Sequence, residues 1–492
     1  MAWKLKRKAA PGGEVHPVDE VMPVGQLLLY GLQHVMSMYA GVIAVPLIIG
    51  TAMGLPFAEL AYLLTAALLV SGLATLLQTL GVWKLGARLP LVQGTSFVAV
   101  ASMLAIGKTA GGGAGALTVI FGAVLVAGVI GFLLTPLFNR LLHYFPPVVT
   151  GSIITVIGLS LLPVAVNWSA GGVGSEHFGS PGNIGLAFLT LLIILFIYRF
   201  LPGFFSRIAI LAGLALGTIV AIPLGMTNFS RVGEAAWVAV STPFHFGFPR
   251  FEFAAILSMT IVMIVIMTEA TADILAIGEI VDKPADGRTV VAGLRADCLS
   301  SAVSGGLLNG FQLSAFAQNV GLVAITGIKS RFVVAAGGVI LVLLGLLPKL
   351  GAIVASIPTP VLGGAGLALF GTVAASGIRA LSRVDYEGNA NLVIVALALG
   401  MGVLPIAVPT FYEEFPAWFG TIFESGICAA AVTAVLLNLL FNAGAHQRDD
   451  GEGPIFSEAP PPGITPDHDV PGGVGHQRPE SVRRERRRAD EH

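Results

Sequence analysis

Charge is scarce in this chain. Asp, Glu, Lys and Arg make up 11% of its 492 residues, against 55% hydrophobic, where a soluble globule carries about 25% charged residues. With a mean hydropathy of +0.85, that deficit excludes a water-soluble fold and implies an integral membrane protein. Cysteine is scarcer still. Cys298 and Cys428 lie far apart in or beside apolar segments, which excludes a disulfide framework and a thiolate metal centre. No ten-residue segment alternates apolar and polar residues in the manner of a barrel strand, so the spans are helices. The basic start "MAWKLKRKAAPGG" is followed by an apolar run too long for a signal-peptide core and by no small-residue cleavage site, so it reads as leading into a retained first span. A net charge of -1 gives no pull toward nucleic acid. Metal-ligand motifs and nucleophile elbows are missing as well, which argues against an enzyme, a metal or a cofactor.

What the chain does have is apolar runs of about 17 to 25 residues, the length that crosses ~30 Å of hydrocarbon. They fall near 24–49, 57–80, 90–106, 115–136, 147–166, 183–201, 208–225, 253–275, 290–308, 311–327, 332–348, 358–377, 390–408 and 417–442, fourteen in all. Connections after even-numbered spans, counted with the adjoining span edges where Arg199 and Arg295 stand, hold twelve Lys or Arg (Lys84, Arg88, Arg140, Arg199, Arg207, Lys283, Arg288, Arg295, Lys329, Arg331, Arg379, Arg383). Those after odd-numbered spans hold four, Lys108, Arg231, Arg250 and Lys349. By the positive-inside rule both termini are cytoplasmic and the span number is even.

Fourteen spans divide into two sevens, and an odd number per half sets the halves in opposite orientations, an inverted repeat. The third span of each half, "LPLVQGTSFVAV" and "FQLSAFAQNVGL", is interrupted by Gly and polar residues. Broken helices at corresponding positions point to a midplane binding site, because half-helix ends leave N–H and C=O groups free for a ligand. Residues 1–23 form a cytoplasmic N-terminal segment. Residues 443–492, rich in Pro, Gly and charge, read as a disordered tail; its Arg cluster, Arg483 to Arg488, is either a solvated face or a contact to anionic lipid.

Ionisable residues inside spans are functional candidates. Glu269 and Asp273 stand four apart in "MTEATADIL", on one helix face. His34, in "LQHVMSMYAG", is either satisfied by a backbone carbonyl or part of the site. Asp297, in "GLRADCLSS", is either the partner of Arg295 in a helix-end ion pair or essential to folding or proton coupling. Gln318 offers donors and an acceptor, Glu269 offers acceptors, and broken backbone at Ser96, Phe97, Ala317 and Asn319 adds more. A flat heteroaromatic bearing N–H and C=O groups would match that set, with Phe97 and Phe316 stacked on its faces. Other small polar solutes would fit too.

The motifs together resemble the nucleobase-ascorbate transporter family, which contains bacterial xanthine, urate and uracil permeases. Its signature stands here as Gln318, Asn319, Gly321 and Thr326, accompanied by "LQHVMSMYAG", "LPLVQGTSF", "FPPVVTGSIITVIGLSLLPVA", "TEATADI", "GLRAD" and "PTPVLGGAGLALFGTV". The resemblance runs from about residue 24 to 442. It implies base binding by Glu269 and Gln318 with Asn319 in support, and proton coupling or support from His34, Asp273 and Asp297. It further implies an all-α polytopic fold with a core domain of spans 1–4 (24–136) and 8–11 (253–348), and a gate domain of spans 5–7 (147–225) and 12–14 (358–442). A homodimer in the plasma membrane and elevator-like, proton-coupled symport of a purine base follow from the same likeness, with Gln318 tilting toward xanthine or urate rather than uracil; sodium coupling stays open. An anion transporter sharing the fold is the remaining alternative. Two positions depart from the family pattern: "TEATAD" lacks the usual Gly before the aspartate, and Glu424 in "FESGI" stands where a neutral residue is common.

Overall fold

The computed structural model describes residues 15–138, 144–227, 229–387 and 389–442. The C-terminal tail, the basic N-terminal start and residues 139–143, which include Arg140, lie outside the described residues. Chain direction is set largely by proline: Pro147, Pro181, Pro348 and Pro360 stand in the first turns of their helices, where the missing N–H breaks no hydrogen bond. The first half runs α1 (Val24–Ala52), α2 (Phe57–Leu80), β1 (Gln93–Thr95), α3 (Val100–Thr109), α4 (Gly113–Leu134), α5 (Pro147–Ser169), α6 (Pro181–Phe200) and α7 (Ala209–Ala221). The second runs α8 (Phe253–Ile280), α9 (Gly287–Leu307), β2 (Leu313–Ala315), α10 (Ala317–Thr326), α11 (Arg331–Gly345), α12 (Pro348–Ala355), α13 (Thr359–Leu381), α14 (Ala390–Ala407), α15 (Ala417–Phe423) and α16 (Gly426–Asn442).

Among the described residues, eight helices are long and apolar enough to cross a membrane, or ten if each of two bent pairs counts once. This is a mostly helical, multi-pass membrane fold. Two predicted spans are not the single rods their hydropathy suggests. The span placed at 332–348 turns through 81° between α11 and α12, and the one at 417–442 turns through 80° between α15 and α16. Leu347 leaves helical geometry ahead of Pro348 in the first case, as a residue before proline tends to do.

Helices meet through small residues, as expected where lipid supplies no hydrophobic drive between them. A Cβ at Gly72 of α2 would lie 2.7 Å from the Gly338 carbonyl of α11, and one at Gly128 of α4 would lie 2.8 Å from the Cys298 carbonyl of α9. In the same way, a Cβ at Gly158 of α5 would lie 2.2 Å from the Ala374 nitrogen of α13. Packing partners come in exchanged couples: α2 with α11 and α4 with α9, then α1 with α11 and α8 with α4.

At the centre β1 and β2 pair antiparallel, Gln93 opposite Ala315, Gly94 opposite Ser314 and Thr95 opposite Leu313. The ladder extends by Ser96 N–H to the Gln312 carbonyl (2.9 Å) and Phe316 N–H to the Val92 carbonyl (3.1 Å). Non-helical backbone at membrane depth survives only when buried in protein with its polar groups paired, and all six strand residues are buried. Side chains complete the pairing: Thr75 Oγ1 accepts from Gln93 N–H at 2.9 Å and Ser301 Oγ from Leu313 N–H at 3.0 Å. Because the strands are antiparallel, α3 and α10 leave this centre in opposite directions.

Residues 15–23 are pinned beneath this assembly. Asp19 meets Lys283 at 3.3 Å and Arg331 at 2.7 Å, Ser330 Oγ donates to the Glu20 carbonyl, and Lys329 pairs with Asp282.

Candidate functional site

Phe316 ends β2 and is the N-cap residue of α10, which begins without a side-chain cap. Its ring is held between two glycines: a Cβ on Gly94 would lie 2.0 Å from Phe316 Cε2, and one on Gly41 of α1 2.8 Å from Cε1. Across the strand pair, Ser96 caps the turn Phe97–Ala99 through Oγ, which accepts from Val98 N–H. Phe97 sits edge-on to Phe370 of α13, centroids 5.9 Å apart. Thr95 Oγ1 donates to the Val42 carbonyl at 2.9 Å, tying β1 to α1.

Helix α8 packs against β2, α10 and the Phe97–Ala99 turn. On α8, Glu269 is half-buried and without a hydrogen bond among the described residues. Gln318 and Ala317, in the first turn of α10, are exposed, whereas Asn319 beside them is fully buried. The signature pair thus divides its work. Asn319 Nδ2 lies 2.8 Å from His34 Nδ1 and donates to the His34 carbonyl at 3.4 Å. Gln318 makes no hydrogen bond among the described residues. His34 is accordingly satisfied by a side-chain amide rather than by the backbone carbonyl weighed above.

Two further carboxylates are enclosed. Asp273, one turn after Glu269, is buried with Oδ2 unpartnered and lies within electrostatic reach of both Glu269 and Asp297. Asp297, in the middle of α9, is 1% exposed with neither oxygen hydrogen-bonded. The helix-end ion pair is overturned, because Arg295 Nε turns instead to Thr135 Oγ1 at 3.3 Å. Residues two apart face opposite sides of a helix. Gln93, which is not among the site candidates above, is buried in β1 with both amide atoms unpartnered; the sequence signal for it is the motif "LPLVQGTSF". Phe370 gave no signal of its own.

The described residues offer a carboxyl group on α8 and an amide on α10, neither hydrogen-bonded, and an aromatic ring held at the uncapped start of α10. A cleft of about 1050 Å³ opens elsewhere, between α6 and α7, and none of these residues lines it.

A family model described as "Permease family" matches residues 25–411. The chain belongs to that family, the nucleobase-ascorbate transporters. This permease is 43% identical over 442 residues to the uric acid transporter UacT of Escherichia coli K12, covering 89% of this chain and 91% of that one. It is also 43% identical over 418 residues to the xanthine permease of Bacillus subtilis 168, covering 85% and 94%. Among solved structures, the fold is shared with the murine Slc26a9 anion transporter in the inward-facing state, with a TM-score of 0.60 at 13% identity over 90% of this chain and 74% of that one. It is shared too with the transmembrane domain of the cyanobacterial bicarbonate transporter BicA, with a TM-score of 0.57 at 14% identity over 86% and 100%. A permease of this family is a transporter and not an enzyme.

Proposed function

We propose that the chain is a secondary active transporter that imports xanthine or urate with protons, holding the base between Glu269 and Gln318. The observation that carries this reading is the convergence of α8 and α10 on the paired strands, with the Glu269 carboxylate and the Gln318 amide both left unpaired. Relatives named for uric acid and xanthine, at 43% identity over most of the chain, support the substrate class. In this reading Phe97 and Phe316 flank the ring, and Ser96 and Ala317 present backbone groups to it. Asn319 and His34 fix the start of α10, while Asp273 and Asp297 exchange protons as the site turns from one side to the other.

The exchanged packing couples and the two strand-led half-helices favour seven spans repeated in inverted orientation. Each of the fourteen predicted positions holds a helical element; α9, 21 residues long, carries Arg295, Asp297 and three serines, too polar for a simple hydropathy count. The same reading assigns α1–α4 and α8–α12 to a moving core and α5–α7 and α13–α16 to a gate, with cytoplasmic termini, a plasma-membrane location and a homodimer built on the gate. A uracil or other nucleobase permease is the nearest alternative. An anion carrier is a further one, since both fold neighbours move anions by name, but the relatives named for uric acid and xanthine favour a purine base.

Uptake of labelled xanthine by proteoliposomes under imposed pH and sodium gradients, with urate, uracil and guanine as competitors, separates these readings. Glu269→Gln keeps the shape and removes the anion. A hydrogen bond to a charged group contributes about 1.5–3 kcal/mol, so transport should fall roughly 10- to 150-fold with normal membrane insertion. Wild-type uptake by Glu269→Gln would place the site elsewhere.

A further inference from the structure

Glu424, to which the reading above gives no role, stands at the 80° break between α15 and α16. Its Oε2 pairs with Lys108 Nζ at 3.0 Å, and Lys108 stands in the last turn of α3. The carboxylate sits between the C-terminal end of α15 and the N-terminal end of α16, so the two helix dipoles act on it in opposite senses. Gly420, one turn earlier, leaves room for it: a Cβ at that position would lie 3.2 Å from Glu424 Oε1.

The next residue extends the contact inward. Ser425 Oγ accepts from Cys428 N–H, capping α16, and meets Ser102 Oγ of α3 at 2.8 Å. Ser102 Oγ also lies 3.3 Å from Cys428 Sγ, which in turn lies 3.4 Å from Ser258 Oγ of α8. All four residues are fully buried. A continuous polar chain therefore ties the break in the last helix pair to α3, which follows the Phe97–Ala99 turn, and to α8, which carries Glu269.

The opposite side has no equivalent. Under the exchange that relates α3 to α10 and the last helix pair to α7, the matching contact would join α10 to α7. Among the described residues no comparable packing joins them, and Ala317, Gln318 and Ile325 of α10 are exposed. One of the two half-helices is clasped and the other is not.

We propose that Lys108 with Glu424, backed by the Ser102–Ser425–Cys428–Ser258 chain, is a positioning clamp specific to one state: it holds α3 and α8 against the last helix pair while the α10 side stands open, and it must part for the site to reach the other side. This rests on the alternating-access reading above. The ion pair is half in solvent, with Lys108 58% and Glu424 15% exposed, and pairs of that kind contribute about 0.2–1 kcal/mol. A state that gains or loses the pair shifts in population by roughly 1.5- to fivefold. That range suits a contact that must break in every cycle.

The test uses the full chain in proteoliposomes with Lys108→Met, Glu424→Gln, their combination and the charge swap Lys108→Glu/Glu424→Lys. Hydrogen exchange without substrate and xanthine uptake kinetics are read in parallel. Each single variant should speed exchange over 97–109 and 417–428 by roughly 1.5- to fivefold and leave 317–326 unchanged. Vmax should change with little effect on the KM that reports the base contacts. The combination should do no more than either single change, and the swap should return both readouts toward wild type. Unchanged exchange in the singles, additive effects in the combination, or loss of protection spread evenly over all helices would overturn the proposal. If the wild-type chain carries no xanthine, the transport reading fails, and the exchange data still decide whether the clamp exists.

Discussion

Replacing Gly94 by alanine drives a methyl group into the Phe316 ring while leaving every polar group of the strand pair in place. The added carbon would stand 2.0 Å from Cε2 and 2.9 Å from Cδ2 and Cζ, so the ring must retreat until those gaps reach at least the 3.4 Å of ordinary contact. Retreat is blocked, because Gly41 already brings the α1 backbone up to the ring's other edge and the Phe316 backbone is fixed by the Val92 carbonyl. Forcing excess volume into such a packed site costs about 1–3 kcal/mol. If the ring is displaced from a bound base, the KM for xanthine should rise roughly 5- to 150-fold. Gly41→Ala should do the same more weakly, since its closest approach is 2.8 Å. Gly115→Ala, which meets nothing within 4 Å, should match wild type. Initial-rate uptake and thermal unfolding in detergent are measured together, and Gly94→Ala/Phe316→Ala should recover the unfolding temperature without recovering KM. A Gly94→Ala protein with wild-type KM and wild-type unfolding temperature would refute the idea that the ring is held where the site needs it.

Two other perturbations probe the surroundings. Asp297→Asn keeps volume and removes a carboxylate that has no partner; folding should change by less than about 1 kcal/mol, whereas accumulation driven by an imposed pH gradient should be lost and substrate exchange at equal pH retained, a split that paired uptake and counterflow assays detect. At Asp19, partial burial opposes ionisation, but the hydrogen bonds and charges of Lys283 and Arg331 outweigh it and hold the carboxyl below its ordinary value. A depressed value means the stabilisation is fully present above the unfolded carboxylate's pKa and disappears as pH falls through the folded one. Asp19→Asn should therefore lower the unfolding temperature at pH 7, by the equivalent of about 0.5–1 kcal/mol for partly exposed pairs, and the gap to wild type should close below pH 4, which thermal scans at several pH values would reveal.

The two central interruptions were legible because glycine and polar residues break an otherwise apolar run at "LPLVQGTSF" and "FQLSAFAQN", and hydropathy responds to that directly. The bends at Leu347–Pro348 and Glu424–Ser425 were not, since an average over a window counts how greasy a segment is and not which way it points. Glu269 and Gln318 could be nominated from residue type and resemblance, but that Asn319 and not Gln318 takes the buried place follows from helical phase after a strand, which composition does not carry. Arg295 and Asp297 misled through closeness in sequence. Glu424 was noticed as odd, yet its partner lies 316 positions away, and nothing in the local pattern names it.

The paired triplets at the centre also restrict how such a chain can vary. Side chains alternate sides along a strand with a period of two, so deleting a single residue between Gln93 and Thr95, or between Leu313 and Ala315, would turn the glycine that admits the aromatic ring away from it and swing the attached half-helix about its axis. Surface connections can lengthen or shorten by many residues with modest cost. Here the tolerance in chain length is zero on both sides of the crossing, and the two short segments can drift only together.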